Sequence, residues 1–425
     1  MKTIQINHIA KTEGHLSFVG ALIDGDFAQA RIETEEGARL IEGILLGRKY
    51  YEAPIITSRI CGICPIVHNL TAIKALEQAL NVRATKEVLV LRKILLLGQW
   101  IHSHALHAFF LSFPDLVGIN NNLNLLKKYP KQSELALQVR DWAVEICRII
   151  GGRTVHPINS VIGGFNVEPD FTELEKLMEQ REEILQKAIK IFDFISARRL
   201  PKFQRPTNYV SLKTKNEYAY YDGDMFFSDN DQTVKVETAL REIEEIILPY
   251  ERVKRVRHDG RAIMVGALAR INNNFDGLNA NAKKSWEKLG IILPCYNSFY
   301  NIFAQVVEII HCVEEIESLY SEYQKMREKS GFDSRLKVNF EPNPGKGFAA
   351  MEAPRGILYH EYELDRAGNI LHCNIISPTT IFISNLEQDL EQLIPQLKKL
   401  SDVKKKVVIK TLIRAYDPCI SCATH

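Results

Sequence analysis

Apolar and polar positions alternate along the first 35 residues, in "TIQINHIA", "HLSFVGALID" and "FAQARIET". Alternation with a period of two marks strands with one buried face, and Gly14 and the "DGD" at 24–26 punctuate them as turns. The pattern predicts an antiparallel β-element at the N-terminus. Beyond it the apolar spacing changes to three and four. That spacing predicts helices over 69–80, 84–113, 132–150, 171–199, 233–247, 296–329, 384–397 and 401–415. Asp170 is placed to cap the helix that follows it.

Residues 201–230 and 330–355 are richer in Pro, Gly, Tyr and Asn and read as long loops. Residues 356–363 and 369–376 read as a short hairpin over "DRAGN". No internal repeat, low-complexity tract or linker divides the chain. The expectation is one domain, 1–425, with a β-rich element over 1–35 and a mostly helical body over 36–425. The expected fold class is mainly α with small β elements (α+β), a bundle of long helices.

Composition narrows the function. Of the 425 residues, 46% are hydrophobic and 25% charged, enough apolar material for a large core. The net charge of +2, from 54 basic and 52 acidic residues, gives no electrostatic case for nucleic acid or an anionic membrane. The most apolar stretch, "VLVLRKILLLGQWIHSHALHAFFLSF", is interrupted by Arg92, Lys93 and three histidines. It falls short of the roughly 18 uncharged apolar residues of a spanning helix, so an integral membrane protein is not expected. The start, "MKTIQINHIAKTEGHLSF", has no run of signal-peptide length, which makes the cytoplasm the expected location.

Eight cysteines stand at 61, 64, 147, 295, 312, 373, 419 and 422. Four form two CxxC pairs, in "RICGICPIVH" and in the chain end "DPCISCATH". The scattered four read as small buried apolar residues. Two cysteines at i, i+3 can aim both sulfurs at one ion, and two pairs make a soft ligand set for zinc, an iron–sulfur cluster or another thiophilic metal. From Cys64 to Cys419 is 355 residues. Zinc ribbons keep their halves within roughly 15–20 residues, because the metal nucleates a small local fold. Here the whole domain must close its two ends around one ion. That favours a buried catalytic site over a structural zinc. His68, four residues after Cys64, can donate a hydrogen bond to a metal-bound sulfur.

These two motifs resemble the signatures of the nickel–iron hydrogenase large subunit, R-x-C-G-x-C-x-x-x-H and D-P-C-x-x-C-x-x-H. Other blocks fall in that family's order: "TEGH" at 12–15, "IEGILLGR" at 41–48, "SHALHAFFLSFPD" at 103–115 and "GGRTVHP" at 151–157. "VGALAR" at 265–270, "APRG" at 353–356 and "SPTT" at 377–380 complete them. The resemblance spans the chain and implies the family's fold. It implies Cys61 and Cys419 as terminal nickel thiolates, and Cys64 and Cys422 as thiolates bridging nickel and iron. It implies one carbon monoxide and two cyanides on the iron, with Arg355 donating to one cyanide and Thr379, after Pro378, to the other. Cys419 would be the first base for the proton of dihydrogen, and Glu13 its relay. Asp115 would pair with the arginine over the metals. Glu42, the carbonyl of Ile375 and His425 would hold magnesium.

The chain departs from the family pattern at Lys11, where arginine is frequent, at Ala108, where an aromatic is, and at Asn374, where glutamine is. None is an expected nickel or iron ligand. A relative in respiratory complex I has lost the cysteine pairs and serves quinone chemistry; this chain keeps all four.

Oxidation of dihydrogen releases electrons, and this sequence holds no further cysteine cluster, no GxGxxG and no P-loop to receive them. An iron–sulfur small subunit is therefore implied, with no iron–sulfur cluster in this chain itself. Further electron-transfer subunits carrying flavin or nicotinamide would follow, because the short chain and the "SCATH" ending resemble the cytosolic, cofactor-coupled group. Family precursors usually run past the final histidine until an endopeptidase, working with a maturation chaperone, removes the extension. The expectation is that "SCATH" is a mature end or one encoded without an extension.

Overall fold

The computed structural model describes residues 2–23, 27–34, 36–215, 217–247, 251–328 and 336–425; the "DGD" at 24–26 lies outside them. The N-terminal alternation becomes three strands, Lys2–Ile6, Leu16–Ile23 and Phe27–Thr34, in an antiparallel meander. Its inner residues Leu16, Phe18 and Ile32 are buried. The segment between the first two strands carries "TEGH" and reaches the far end of the chain: the Glu13 carbonyl accepts the Ile420 N–H at 3.0 Å.

The long helices form the body. Lys86–Ala105 packs between Pro130–Gly151 and Asn301–Arg327. Thr85 caps the first by accepting the Val88 N–H at 3.4 Å. Proline opens three helices, at Pro65, Pro130 and Pro378, where its fixed φ and missing N–H suit the first turn. These proline starts explain why helices expected from 69, 132 and 384 begin earlier. The expected helix 171–199 is two, Phe171–Met178 and Arg181–Ser196, and Asp170 caps the first by accepting from Thr172 N and Glu173 N.

Leu106–Ser112 continues Lys86–Ala105 as a π-helical stretch, a rare form that is frequent at functional sites. The run Lys86–Leu116 has the length and apolarity of a membrane span, but 83% of its most apolar window is buried against the rest of the protein.

Three expectations need correction. Residues 233–247 are not a helix. They form a 3₁₀ turn, Val236–Arg241, and a strand, Ile243–Ile246, paired with Arg255–His258. That pairing sets Glu244 opposite Arg257, an opposite-charge cross-strand pair that a helix would forfeit. The supposed loop 201–230 holds strands Asn208–Lys213 and Asp224–Phe227, where Tyr, Val and Phe suit a pleated buried surface.

The supposed loop 330–355 ends in strand Gly345–Ala353, which makes the expected hairpin a three-stranded sheet with Gly356–Leu364 and Ile370–Ile376. Its glycines are there for close approach. A Cβ on Gly345 or Gly347 would lie 2.1 or 2.0 Å from the carbonyl oxygens of Ala79 and Ala75, so only glycine lets this strand lie on helix Pro65–Ala79. Helices Ala267–Asn274 and Ala280–Glu287 were not anticipated. The result is a mainly helical body with small sheets, and its buried apolar side chains form one continuous cluster.

Candidate metal centre

Four turns converge on one point. Cys61 and Cys64 lie in the turn that opens helix Pro65–Ala79. Cys419 precedes the single-turn helix Ile420–Ala423, which presents Cys422 one turn later. Arg355 sits at the tip of the hairpin joining Gly345–Ala353 to Gly356–Leu364, where Ala353 pairs with Gly356. Gly356 has φ +126, and a Cβ there would meet Val265 Cγ2 at 2.4 Å, so the hairpin can be this tight only with glycine. Thr379 stands in the first turn of helix Pro378–Gln396 and accepts the Cys419 N–H at 3.0 Å.

The sulfurs of Cys61, Cys64, Cys419 and Cys422 all lie within 4.8 Å of one another, and all four residues are buried. Cys61 and Cys419 are 3.4 Å apart, Cys64 and Cys422 3.3 Å, and Cys419 and Cys422 3.0 Å. Hydrogen bonds from Cys419, Cys422 and Cys64 push the Cys61 thiol well below its ordinary pKa, while burial pushes Cys419 and Cys422 well above it. One sulfur therefore ionises first and the others crowd it with their protons. A cation among them would replace those protons and let four thiolates coexist.

Arg355 covers the cluster. Its Nε donates to the Asp417 carbonyl at 2.8 Å and its Nη2 to Asp417 Oδ1 at 2.9 Å. Burial works against its charge, but Asp417 and the cysteine sulfurs hold it on. Its Nη1 is buried without a partner. Arg355, Thr379, Ala353, Leu358 and Pro378 wall a cavity beside Cys64, Cys419 and Cys422. An orphaned N–H and a threonine hydroxyl facing a mostly apolar void suit a small acceptor ligand on a metal.

Glu13 meets the cluster on its other residues. Cys419 Sγ lies 3.0 Å from Glu13 Oε2, and the same oxygen accepts the Ser421 N–H at 3.0 Å. The Ser421 hydroxyl donates to Glu13 Oε1. Gly14 has φ +80, and a Cβ there would meet Ile420 Cβ at 2.7 Å, so the glycine of "TEGH" lets the two chain ends touch.

The expected magnesium ligands also come together. The Ile375 N–H donates to Glu42 Oε1 at 2.8 Å, and His425 Nε2 lies 2.9 Å from the Ile375 carbonyl oxygen. His425 Nδ1 faces the Cys422 carbonyl. Burial keeps His425 neutral, so with Nδ1–H donating, Nε2 turns a lone pair toward a carbonyl oxygen. Two acceptors facing each other are relieved by a cation between them, and the donor set fits one. Lys254 already places its ammonium 3.1 and 3.2 Å from the two Glu42 oxygens.

One expected pairing is not formed. Asp115 does not meet Arg355; it takes Arg414 Nη1 at 2.6 Å to each oxygen, and Asp417 occupies the place beside Arg355. Asp417 opens the second cysteine motif and adopts φ 55, which turns its carboxylate back onto Arg355. Arg414 is thereby free to bind Asp115 and, through Nε, the Ala10 carbonyl at 2.8 Å.

Ser421, Asp417, Arg414, Lys254 and Arg39 were not singled out as site residues. Asp417 and Ser421 lie inside the quoted motif and could have been. Arg39, which binds the Ile60 carbonyl at 2.6 Å and the Ser421 carbonyl, joins both cysteine motifs and carries no local signal.

A family model described as nickel-dependent hydrogenase matches residues 39–142 and 202–425. The chain is 30% identical over 424 residues to the alpha chain of sulfhydrogenase 1 of Pyrococcus furiosus, covering 99% of this chain and 97% of that one. It is 27% identical over 419 residues to a chain of the vhu F420-non-reducing hydrogenase of Methanocaldococcus jannaschii, covering 92% of this chain and 98% of that one. A solved NAD+-reducing [NiFe]-hydrogenase in the H2-reduced state superposes with a TM-score of 0.88 at 25% identity, with both chains covered in full.

Proposed function

We propose a course for the chemistry of this chain, which belongs to the nickel-dependent hydrogenase family and is the catalytic subunit of a nickel–iron hydrogenase. Cys61, Cys64, Cys419 and Cys422 would hold the nickel–iron centre, with Cys64 and Cys422 shared between the metals. When bound, that centre supplies the Lewis acid that polarises dihydrogen and the redox couple that takes its two electrons.

The chain's own residues handle the protons. Cys419 Sγ takes the first proton, because it is the sulfur with a carboxylate in reach. Glu13 Oε2, 3.0 Å away, receives it. Ser421 holds the Glu13 carboxylate in place through its N–H and hydroxyl. Glu13 is only partly buried and can pass the proton outward. The contact between Cys419 and Glu13 beside the four-sulfur cluster is the observation that carries this reading.

Arg355 Nη1 and the Thr379 hydroxyl would donate to cyanides on the iron, with Pro378 and Leu358 excluding water around a carbon monoxide. Glu42, the Ile375 carbonyl and His425 would hold magnesium, and through it would anchor the chain end that carries Cys419 and Cys422. Asp115 would act at one remove, by fixing Arg414. The one continuous core supports reading 1–425 as a single large-subunit domain.

The electrons leave through a partner. Leu40, Ile44, Leu46, Tyr51, Ile55 and Leu371 are exposed apolar residues on the segment before Cys61 and the strand beside it. That face suits the large, apolar contact of an obligate iron–sulfur subunit. The relatives named above are chains of multi-subunit hydrogenases, one of them NAD+-reducing, which supports a cytoplasmic enzyme coupled to a flavin or nicotinamide subunit.

Glu13→Gln tests the proton path. We expect nickel and iron content to hold at about one each per chain, and exchange of deuterium gas with solvent protons to fall about 100-fold or more. Unchanged exchange would remove Glu13 from the path. Zinc alone in the wild-type protein, with no infrared bands for carbon monoxide and cyanide, would overturn the centre itself.

A further inference from the structure

A second line of polar groups starts at the cysteine cluster and takes no part in the path from Cys419 to Glu13. Cys422 Sγ lies 3.5 Å from His68 Nε2. His68 Nδ1 lies 3.4 Å from His360 Nε2, and His360 Nδ1 lies 2.9 Å from the Tyr362 hydroxyl. His68 is 1% exposed, and His360 and Tyr362 are 0% exposed. His68 stands one turn into helix Pro65–Ala79. His360 and Tyr362 are two apart on strand Gly356–Leu364, so they share the face that packs on that helix.

The protons on this line can be counted. Both rings are buried, meet nitrogen to nitrogen at 3.4 Å and touch no carboxylate among the described residues, so each is a neutral imidazole carrying one N–H. Of the four tautomer pairs, two place one proton between the facing nitrogens. In the first, the Tyr362 O–H donates to His360 Nδ1, His360 Nε2–H donates to His68 Nδ1, and His68 Nε2–H donates to the Cys422 sulfur. In the second every bond is reversed, and the sulfur must bring a proton of its own. A metal-bound thiolate has none to bring, so only the first satisfies every group.

We propose that Tyr362 is a positioning residue: through His360 it sets His68 in the Nε2–H form that donates to the Cys422 sulfur. The proposal rests on Cys422 being a metal-bound thiolate. Which ring nitrogen of a histidine carries the proton is set by the hydrogen bond made at the other, and here that setting passes through two rings. The N–H delivered to the sulfur draws charge from a metal ligand, and such outer partners tune the centre they surround. Tyrosine suits the far end because its hydroxyl can donate where phenylalanine cannot.

Protein labelled with 15N-histidine and carrying its metal gives ring-nitrogen shifts that separate N–H from bare nitrogen. We expect His68 and His360 both neutral and both protonated on Nε2. A His68 protonated on Nδ1 overturns the proposal. Tyr362→Phe keeps the ring and its packing and removes only the hydroxyl. We expect His360 then to populate both forms and His68 to lose its single Nε2–H state; both rings unchanged would also overturn the proposal. His360→Gln offers a donor to His68 and an acceptor to Tyr362, and should preserve the His68 form where His360→Leu does not. Loss of the His68 form in His360→Gln as well would count against the relay. Zinc on the four sulfurs would sink the nickel–iron reading yet leave Cys422 a proton-free acceptor, so the two ideas fail separately.

Discussion

Arg270 and Arg355 are both buried guanidinium groups set against acidic partners, yet one is finished and the other is not. Arg270 uses all five of its N–H donors. Nε and Nη2 take the Glu308 oxygens at 2.6 and 2.7 Å, Nη1 takes Glu352 Oε2 at 2.9 Å, and the remaining two reach the carbonyls of Ala353 and Pro354 at 2.9 Å each. Its face lies 4.2 Å from the Trp100 ring centroid. Arg355 binds only Asp417, and its Nη1 has no partner beside a cavity. Buried polar groups are nearly always paired, so a saturated arginine reads as scaffold and an unsaturated one as waiting for a ligand. The two are connected: Arg270 grips the two residues that precede Arg355 and so aims it.

The largest effect should come from damaging the finished site. Glu308 also receives His104 Nε2 at 2.9 Å and the Tyr218 hydroxyl at 2.6 Å. Glu308→Ala would leave Arg270 buried and under-paired, and we expect a loss of about 3–5 kcal/mol in urea unfolding. A loss below about 1 kcal/mol would dissolve the distinction between scaffold and site.

Arg355→Lys should do the reverse. Lysine keeps a charge for Asp417 but loses the planar fork and the free N–H over the metals. We expect hydrogen oxidation to fall about 100-fold with unfolding free energy changed by less than about 1 kcal/mol. A stability loss equal to that of Glu308→Ala would make Arg355 scaffold too.

Glu352 gives the Arg270 site a pH dependence of its own. Burial raises its pKa to about 7 despite Arg270. Between its unfolded value near 4.5 and about 7 the folded chain holds a proton that the unfolded chain has lost. Stability from this group is therefore present in full below about 4.5 and falls as pH rises through about 7, by on the order of 3 kcal/mol. Glu352→Gln should remove that slope, read as the difference between wild-type and variant unfolding across the range.

The smallest effect belongs to the edge of the site. Lys254 neutralises Glu42 at a position about one-quarter exposed, where water still screens the pair, so Lys254→Ala should cost less than about 1 kcal/mol. It should also make the melting temperature more sensitive to a chelator, because the proposed magnesium would then be the one cation left to Glu42. Equal sensitivity in both proteins would mean that no divalent ion is held there.

Much of this was legible before any fold. The two CxxC pairs, Glu13, Arg355 and His425 lie in short motifs, and the structure places the four sulfurs together, Glu13 and Arg355 beside them and His425 against the Ile375 carbonyl. The helices with clean three- and four-residue spacing also appear, within a few residues of their expected bounds. Illegible segments were those whose conformation is set by neighbours. Glu244 and Glu245 sit in a helix-like pattern but pair with strand Arg255–His258. Gly345 and Gly347 look like loop residues, yet they are the gaps through which a strand touches helix Pro65–Ala79.

The order of residues set the ligand types and their spacing, because i, i+3 sulfurs are a local property of one turn. It also determined that residues near both ends must meet, since neither cysteine pair can complete a four-sulfur site alone. Which acid faces which base was settled by how the elements pack. Asp115 went to Arg414 and Asp417 to Arg355, Lys254 came to Glu42, and Tyr362 lined up behind His360 and His68. Most of those partners stand tens to hundreds of positions apart, and in a buried interior each polar group settles on whichever partner packing brings within reach.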